Sequence, residues 1–396
     1  MTVPLPGQLG AAATRARSGQ GAGTGVETRD GAPAPAIQAA GEALVLRDQA
    51  LAALDGGDLA AALATAGRGL ALLEAAGPRG GTDEAAVLVA LAEIQEAAGR
   101  FGDAGVTITA AIAILGDAAP GGGDDDSMLL WCQAQERLAG LERLAGEFAA
   151  AAARLHAVLD RASATLGEAS MAVVSAANAL GVVGKYAGDF AAAEAAYRRA
   201  VAAADAVAAG PLIRAGLLHN LGGLAHSRGD PQAGIPPAEQ GLALRTRALG
   251  AAHPDVAKDL NALGALYHLA GQYDDAGRAY RRALAIFEDC YGPGHFETAQ
   301  ACANLAAWHA DQGQFAAGEA TGRRALAILE ALLGPGDAEV GLTVLNLALA
   351  VAGQGRTAEA AALAGRAATI LAARLPAGHP HRDAARQALA RLRGTS

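Results

Sequence analysis

The chain contains five asparagines, Asn178, Asn220, Asn261, Asn304 and Asn346, and each stands nine or ten residues before one member of an evenly spaced set of glycines. A carboxamide offers both donors and an acceptor, so a row of them can hydrogen-bond an extended peptide main chain without demanding one side chain; it can equally tie one helix to the next and stiffen a stack. Asn178 and Asn261 are offset by one residue from the other three, a turn of ~100° on a helix. The only two lysines, Lys185 and Lys258, share these segments with His219, His226, His268 and His309. Gathered on one face they make it locally electropositive and favourable to acidic segments; scattered, they are ordinary surface residues.

Other recurring residues carry less chemistry. His253, His295 and His379 recur at 42 and twice 42 residues, with Asp337 filling the gap. Zinc needs nitrogens ~2.0–2.1 Å away, whereas equivalent points on successive helical layers lie ~8–10 Å apart. One ion cannot bridge them, so loop packing or helix capping is expected and no metal site is assigned. Arg198–Arg199, Arg281–Arg282, Arg323–Arg324 and Arg366 read either as a basic stripe for nucleic acid or as a solvated outer face interleaved with Glu and Asp. A net charge of −9 favours the second. Residues 179–186, ALGVVGKY, resemble a P-loop but lack its first glycine and carry Tyr186 where Ser or Thr would hold magnesium. The early GQGAGTG run follows no strand and opens no helix, and H-E-x-x-H, C-x-x-C and G-x-S-x-G are absent. Three consecutive aspartates in the loop 116–127 lack the alternation of a calcium loop. No enzyme chemistry and no cofactor is expected.

The elements that position these residues follow from glycine spacing. Gly57, Gly99, Gly146, Gly188, Gly229, Gly271, Gly313 and Gly355 are separated by 42, 47, 42, 41, 42, 42 and 42 residues. A period of this length marks a solenoid of helical hairpins, none of which buries its apolar face alone. Seven residues before and five residues after each glycine, every residue is Ala or Gly, so two helices can approach closely on either side of a left-handed turn. Two residues after it stand Leu59, Phe101, Phe148, Phe190, Tyr273 and Phe315, with Pro231 and Thr357 as exceptions; the aromatic is expected to plug the hairpin. Hydrophobic content of 52% with only 4% aromatics points to packing by backbone approach.

The unit 249–292, with its Gly-x-Tyr-x-x-Ala turn followed by Tyr280 and Ala283, resembles the tetratricopeptide repeat. Its 42-residue length, LG-x-x-HP opening and YRRAL run are similar to the kinesin-light-chain type. HEAT and armadillo arrays share the period but lack this turn. The resemblance covers roughly residues 40–376 and is strongest in the last five repeats. It implies an all-α right-handed superhelix of eight hairpins, at 37–77, 82–116, 126–167, 168–208, 211–249, 254–291, 296–333 and 338–375, capped by a helix at 380–393. It also implies that the first helix of each hairpin lines a concave groove. A non-enzymatic scaffold or adaptor binding an extended peptide or partner segment is then expected. The groove residues are Asn178, Lys185, His219, Asn220, His226, Lys258, Asn261, His268, Asn304 and Asn346. The alternatives are a sensor module whose superhelix pitch responds to a peptide or ligand, and an enzyme with an unrecognised site.

The remaining expectations concern boundaries and surroundings. Residues 1–36 read as a disordered Gly/Ala/Pro-rich tail. The loop 116–127 is expected to be a joint, with Asp126 or Ser127 capping the next helix. Pro236 and Pro237 should delay the second helix of repeat five, leaving 229–235 as an extended, flexing turn. Cys132, Cys290 and Cys302 are expected to be buried free thiols. No membrane span, secretory signal or nucleic-acid partner is expected, and the location is expected to be cytoplasmic.

Overall fold

The computed structural model describes residues 34–77, 81–116, 125–375 and 379–394. Among them are seventeen α-helices and no strand. The chain divides into two compact units, residues 1–213 and 214–396. In the first, α1 (Ala34–Asp55) packs on α2 (Leu59–Ala76), α3 (Thr82–Ala97) on α4 (Phe101–Leu115), α5 (Asp125–Leu144) on α6 (Phe148–Leu166), and α7 (Met171–Ala187) on α8 (Phe190–Ala206). The helix α9 (Pro211–Arg228) enters the second unit at Arg214. There it is followed by α10 (Pro231–Leu249), the pair α11 (Pro254–Leu269) and α12 (Tyr273–Tyr291), and the pair α13 (Phe296–Asp311) and α14 (Phe315–Leu333). The pair α15 (Ala338–Gly353) and α16 (Thr357–Arg374) and the terminal α17 (Pro380–Arg393) complete it; α17 packs on α16 with Ala385 buried. The expected tail lies outside the described residues up to 33, and α1 begins at Ala34 rather than at 37.

All eight turn glycines have φ between +69° and +82°, a conformation that costs an L-residue about 1–2 kcal/mol. Every second helix opens two residues later, including those with Pro231 and Thr357 at that point. A further set of glycines, Gly116, Gly167, Gly250, Gly292 and Gly334, ends second helices with φ of +65° to +87°. Repeat four has no glycine there, and Ala208 adopts φ +50° instead.

The small residues on either side of the turn are buried in every repeat, from Ala50 and Ala62 to Ala348 and Ala360. The fit is specific where a large residue enters the crossing. A Cβ on Gly181 would lie 2.5 Å from the Tyr197 ring, and one on Gly264 would lie 2.8 Å from Tyr280. Both tyrosines are fully buried nine residues after their turn glycine. Repeats with Ala before the turn carry Ala66, Ile108, Leu155, Gly322 or Ala364 at the tyrosine position. The aromatic that opens a second helix does not plug its own hairpin: Phe101 is 47% exposed and Tyr273 39%. Phe315 lies instead where a Cβ on Gly353 of α15 would stand, and the Tyr273 carbonyl accepts a hydrogen bond from Trp308 Nε1 of α13 at 2.8 Å. These residues seal the junction to the next repeat.

Repeat five departs from expectation. The helix α10 runs unbroken from Pro231 to Leu249 with Pro236 and Pro237 inside it. Pro231 occupies the first helical position, where its missing N–H costs nothing, and the Asp230 carboxylate accepts from Ala233 N at 3.2 Å. The carbonyls left without donors by Pro236 and Pro237 belong to Gln232 and Ala233, both exposed residues that water can reach. The opposite face holds the helix in place. Gly234, Ile235, Ala238 and Gly241 are buried, and a Cβ on Gly234 would come within 2.7 Å of Leu266 and 2.8 Å of Ala225. Packing therefore offsets the ~3 kcal/mol cost of an interior proline, and no extended turn exists at 229–235.

Three smaller expectations also change. Asp126 and Ser127 lie within the first turn of α5 rather than before it; the loop residues 117–124 lie outside the described residues. Cys132 and Cys302 are buried, but Cys290 is exposed, its thiol 3.5 Å from the Ala252 carbonyl. The segment Leu59–Ala76 is long and apolar enough to cross a membrane, because alanine-rich packing raises hydropathy without large side chains. It carries Arg68 and Glu74, and its Ala62, Thr65, Ala66 and Gly69 are buried.

Two substitutions test this packing. Gly264→Ala should destabilise by about 1–3 kcal/mol through overlap with Tyr280, and the G264A/Y280L double variant should recover much of the loss in urea denaturation. Ala208→Gly should raise stability by about 1 kcal/mol by relieving the positive φ; an unchanged midpoint would show that this turn carries no strain.

Candidate interaction surface

First helices touch one another across repeat junctions as well as packing on their hairpin partners: α1 with α3, α3 with α5 and α5 with α7 in the first unit; α11 with α13, α13 with α15 and α15 with α17 in the second. Among the described residues of each unit, no two second helices approach as closely. Within each unit, then, the first helices form the more tightly spaced row, which is the inner wall of a curved stack.

Polar side chains tie this wall together. In the first unit Arg137 of α5 binds Glu96 at 3.1 Å and Glu93 at 2.9 Å, both on α3. Ser175 of α7 donates to Glu136 of α5, and Thr82 and Ser127 hydroxyls meet at 3.4 Å. In the second unit His219 Nδ1 of α9 lies 2.9 Å from Asp259 of α11, a buried carboxylate whose other oxygen is 3.1 Å from Arg245. His268 of α11 lies 2.8 Å from Asp311 at the end of α13. Asn304 of α13 donates to Asn261 of α11 at 3.0 Å.

These ties sort the anticipated groove residues. Asn178 is buried, and Asn220 and His226 are half-buried; all three are engaged by neighbouring groups. Asn261 and Asn304 are bonded to each other yet remain half-buried, and the one bond between them leaves an Asn304 oxygen and Asn261 amide hydrogens unused. Asn346 on α15 is half-buried and makes no hydrogen bond among the described residues, and Leu349 one turn on is 49% exposed. Lys258 is matched by Asp255 at 3.1 Å. With His219 and His268 also facing carboxylates, the second unit has no uncompensated positive row at these positions. Lys185 on α7 differs: it is half-buried, and burial with no acidic neighbour lowers its pKa.

The recurring histidines are caps. Nδ1 of His253, His295 and His379 accepts from the backbone N–H of Asp255, Glu297 and His381 at 3.1, 3.2 and 3.3 Å, and Asp337 accepts from Glu339 in the same way at 2.9 Å. Among the described residues no group of three or more His, Cys, Asp or Glu is placed to hold a metal. The paired arginines meet carboxylates: Arg198 with Glu194, Arg199 with Glu168, Arg323 with Glu319 and Glu359, Arg324 with Glu288, and Arg366 with Glu330. Glu319, hydrogen-bonded by Gln354, Arg323 and Arg356, is held down to about pKa 2. Arg281 stacks on Trp308 at 5.0 Å.

Sequence reasoning passed over the acidic tie of repeat three. Glu136 is buried, and desolvation lifts its pKa to about 8 against the opposing effects of the Ser175 hydroxyl and Arg137. The adjacent Cys132 thiol is pushed up to about 12 by burial and by Glu136. Glu136 stands ten residues before Gly146, the register of Asn178 and Asn261; following that register rather than the residue type would have found it.

This architecture, helical hairpins of about 42 residues stacked through alanine and glycine with a polar inner wall, defines a repeat scaffold. Tetratricopeptide-repeat models match residues 214–289 and 298–339. The apo form of RapI shares 11% identity over 74% of this chain and 98% of its own, with TM-score 0.55. A Rap protein complexed with competence and sporulation factor shares 13% over 90% and 98%, with TM-score 0.53. A putative kinesin light chain repeat structure from Podosopora anserina shares 24% over 45% and 84%, with TM-score 0.39. No curated protein matches the chain. Residues 214–289 and 298–339 are tetratricopeptide repeats, and stacked repeats of this kind support a protein-interaction scaffold.

The Glu136 tie generates a pH test. Its folded pKa of about 8 lies above the ordinary carboxyl value of 4.5, so the folded state retains a proton that the unfolded chain has lost. Stability from this group is full below 4.5 and falls as pH rises toward 8, by up to about 1.4 kcal/mol per pH unit. Glu136→Gln should flatten the fall between pH 5 and 8 in denaturant melts; parallel pH profiles for the two proteins would refute a buried neutral carboxyl.

Proposed function

We propose that this protein is a non-enzymatic adaptor that holds an extended peptide, or an extended segment of a partner protein, along the first-helix wall of its second unit. The observation that carries the reading is the polar row on α11, α13 and α15. Asn346 makes no hydrogen bond among the described residues, Asn261 and Asn304 keep unused hydrogen-bonding capacity, and exposed Leu349 lies one turn beyond Asn346. Carboxamides at consecutive repeats match the alternating N–H and C=O groups of an extended main chain, and many such modest bonds add up across a preformed surface. The fold is similar to that of a Rap protein complexed with competence and sporulation factor, which supports a protein or peptide partner for a helical-hairpin stack of this kind. The sensor reading loses the hinge that suggested it, since α10 is continuous through repeat five.

Peptides selected from a random display library on the immobilised full chain provide the test. Asn304→Ala and Asn346→Ala should each weaken their capture about fivefold, the worth of one net hydrogen bond of about 1 kcal/mol, while helix content by circular dichroism stays the same. Selected peptides that bind both variants as well as the parent would remove the amide row from the reading.

A further inference from the structure

The face by which a first helix meets the preceding second helix has a fixed make-up. On α3 it consists of Val87, Leu91 and Ile94: a Cβ on Gly69 of α2 would lie 3.8 Å from Val87, and Ile94 and Leu91 share a core with Ala62 and Ala66. The residue twelve positions before the turn glycine is at most 3% exposed on every helix from Val87 of α3 to Thr343 of α15. Eight positions before the glycine, each of these helices carries Leu. On α1 the same registers hold Val45, which is 55% exposed, and Gln49, which is exposed, as is Ala52 one turn on. Glu42 and Asp55 continue this exposed row at its two ends. Glutamine in place of leucine, between two carboxylates, makes the face acidic with a small apolar centre.

The helix α17 keeps the first-helix register on one side only. Forty-two residues on from Thr343 and Leu347 stand Ala385 and Leu389. Ala385 is buried in a core with Ala367 and Leu371 of α16, and Leu389 lies 3.8 Å from where a Cβ on Gly365 would stand. On the other side, Val344 and Val351 of α15 are buried in cores shared with α16, yet the same positions on α17 are Arg386 and Arg393. Both are exposed, and Ala390 between them is half-buried. The helix carries four arginines and one acid, Asp383, which pairs with Arg386 at 3.1 Å. Arg391 and Arg393 form no ion pair among the described residues.

An apolar helix laid on Arg386 and Arg393 would bury guanidinium groups without counter-ions, at a cost of several kcal/mol. A helix that brings carboxylates around small apolar residues satisfies them, and α1 presents one. The Glu42 carboxylate has only neutral Gln38 as a hydrogen-bond partner among the described residues. A net charge of −9 on each copy opposes contact between copies wherever the meeting surfaces are not locally complementary. The acidic face of α1 and the basic face of α17 are complementary.

We propose that the α1 face of one copy docks on the Arg386–Arg393 face of α17 of a second copy, a contact between unlike faces of identical chains. Glu42 and Asp55 meet the arginines, while Val45 and Ala52 cover Ala390. The inference goes beyond peptide capture and is independent of it, since neither face includes the amide row on α11, α13 and α15. One pair of helix faces is a small interface, so the association is weak and depends on charge for its strength.

Sedimentation of the full chain over a range of concentrations tests this. At about 20 mM sodium chloride the weight-average mass should rise with concentration, and at about 500 mM it should fall back toward one chain. Glu42→Arg/Asp55→Arg and Arg386→Glu/Arg393→Glu should each weaken association at least tenfold, with circular dichroism and thermal melts confirming that both fold. An equimolar mixture of the two reversed proteins should recover it, because each then offers the face that the other lacks. The neutral variant Arg386→Gln/Arg393→Gln should weaken association and gain nothing from mixing with either reversed protein. A parent chain that keeps the mass of one copy throughout at low salt overturns the proposal. So does association that strengthens with salt, a reversed protein that associates as the parent does, or a mixture that stays at the mass of single chains.

Discussion

Everything in this structure depends on how closely two helices can cross beside a left-handed glycine. The Ala or Gly seven residues before the turn and the Ala or Gly five residues after it are buried in all eight repeats, because a larger side chain at either point would push the hairpin apart. With the backbones this close, dispersion contacts among small groups and helix backbones replace the large aromatic core of an ordinary domain. The same closeness sets where polar residues stand. A helix face given over to alanine leaves its remaining faces for side chains that reach the next repeat, and those side chains become the inner wall.

That wall has two uses for the same residue types. A tie between neighbouring first helices, such as Arg137 with Glu96 or His219 with Asp259, fixes the spacing of repeats. A side chain such as Asn346 or Lys185 keeps polar capacity that no neighbouring repeat takes up. Within the second unit the balance shifts along the chain, from engaged groups on α9 to an amide on α15 with no hydrogen bond among the described residues. The outer face has its own pattern, in which arginines of second helices meet carboxylates of neighbouring repeats around hubs such as Glu319. These exposed pairs add little stability singly, but they satisfy the charges that a basic stripe would need free.

Much of the fold was legible because glycine at positive φ, small residues at fixed offsets and a constant period are local signals that survive translation into a helix–turn–helix. Each second helix starts where the spacing from its glycine says it should. The capping role of His253, His295 and His379 was legible for the same reason: it involves a residue and a backbone N–H two positions away. What escaped were the effects of neighbours. The prolines of α10 are tolerated because Gly234 lets Leu266 and Ala225 press close, and Ala208 takes a positive φ where other repeats supply glycine. The candidate site was half legible. The register of the asparagines marks the wall, but which amide is engaged depends on side chains forty residues away, and Glu136 carried the register under another residue type.

The tyrosine lodged against glycine in repeats four and six has a consequence for how such arrays change over time or in the laboratory. Gly181 and Tyr197, like Gly264 and Tyr280, sit on opposite arms of one hairpin, so the bulky and the vacant partner travel together only when a whole hairpin is duplicated or exchanged. A crossover at the turn itself would splice a tyrosine arm onto an alanine arm. The hairpin, not the single helix, is therefore the smallest interchangeable part of this molecule, and its exchange boundaries belong in the links between hairpins.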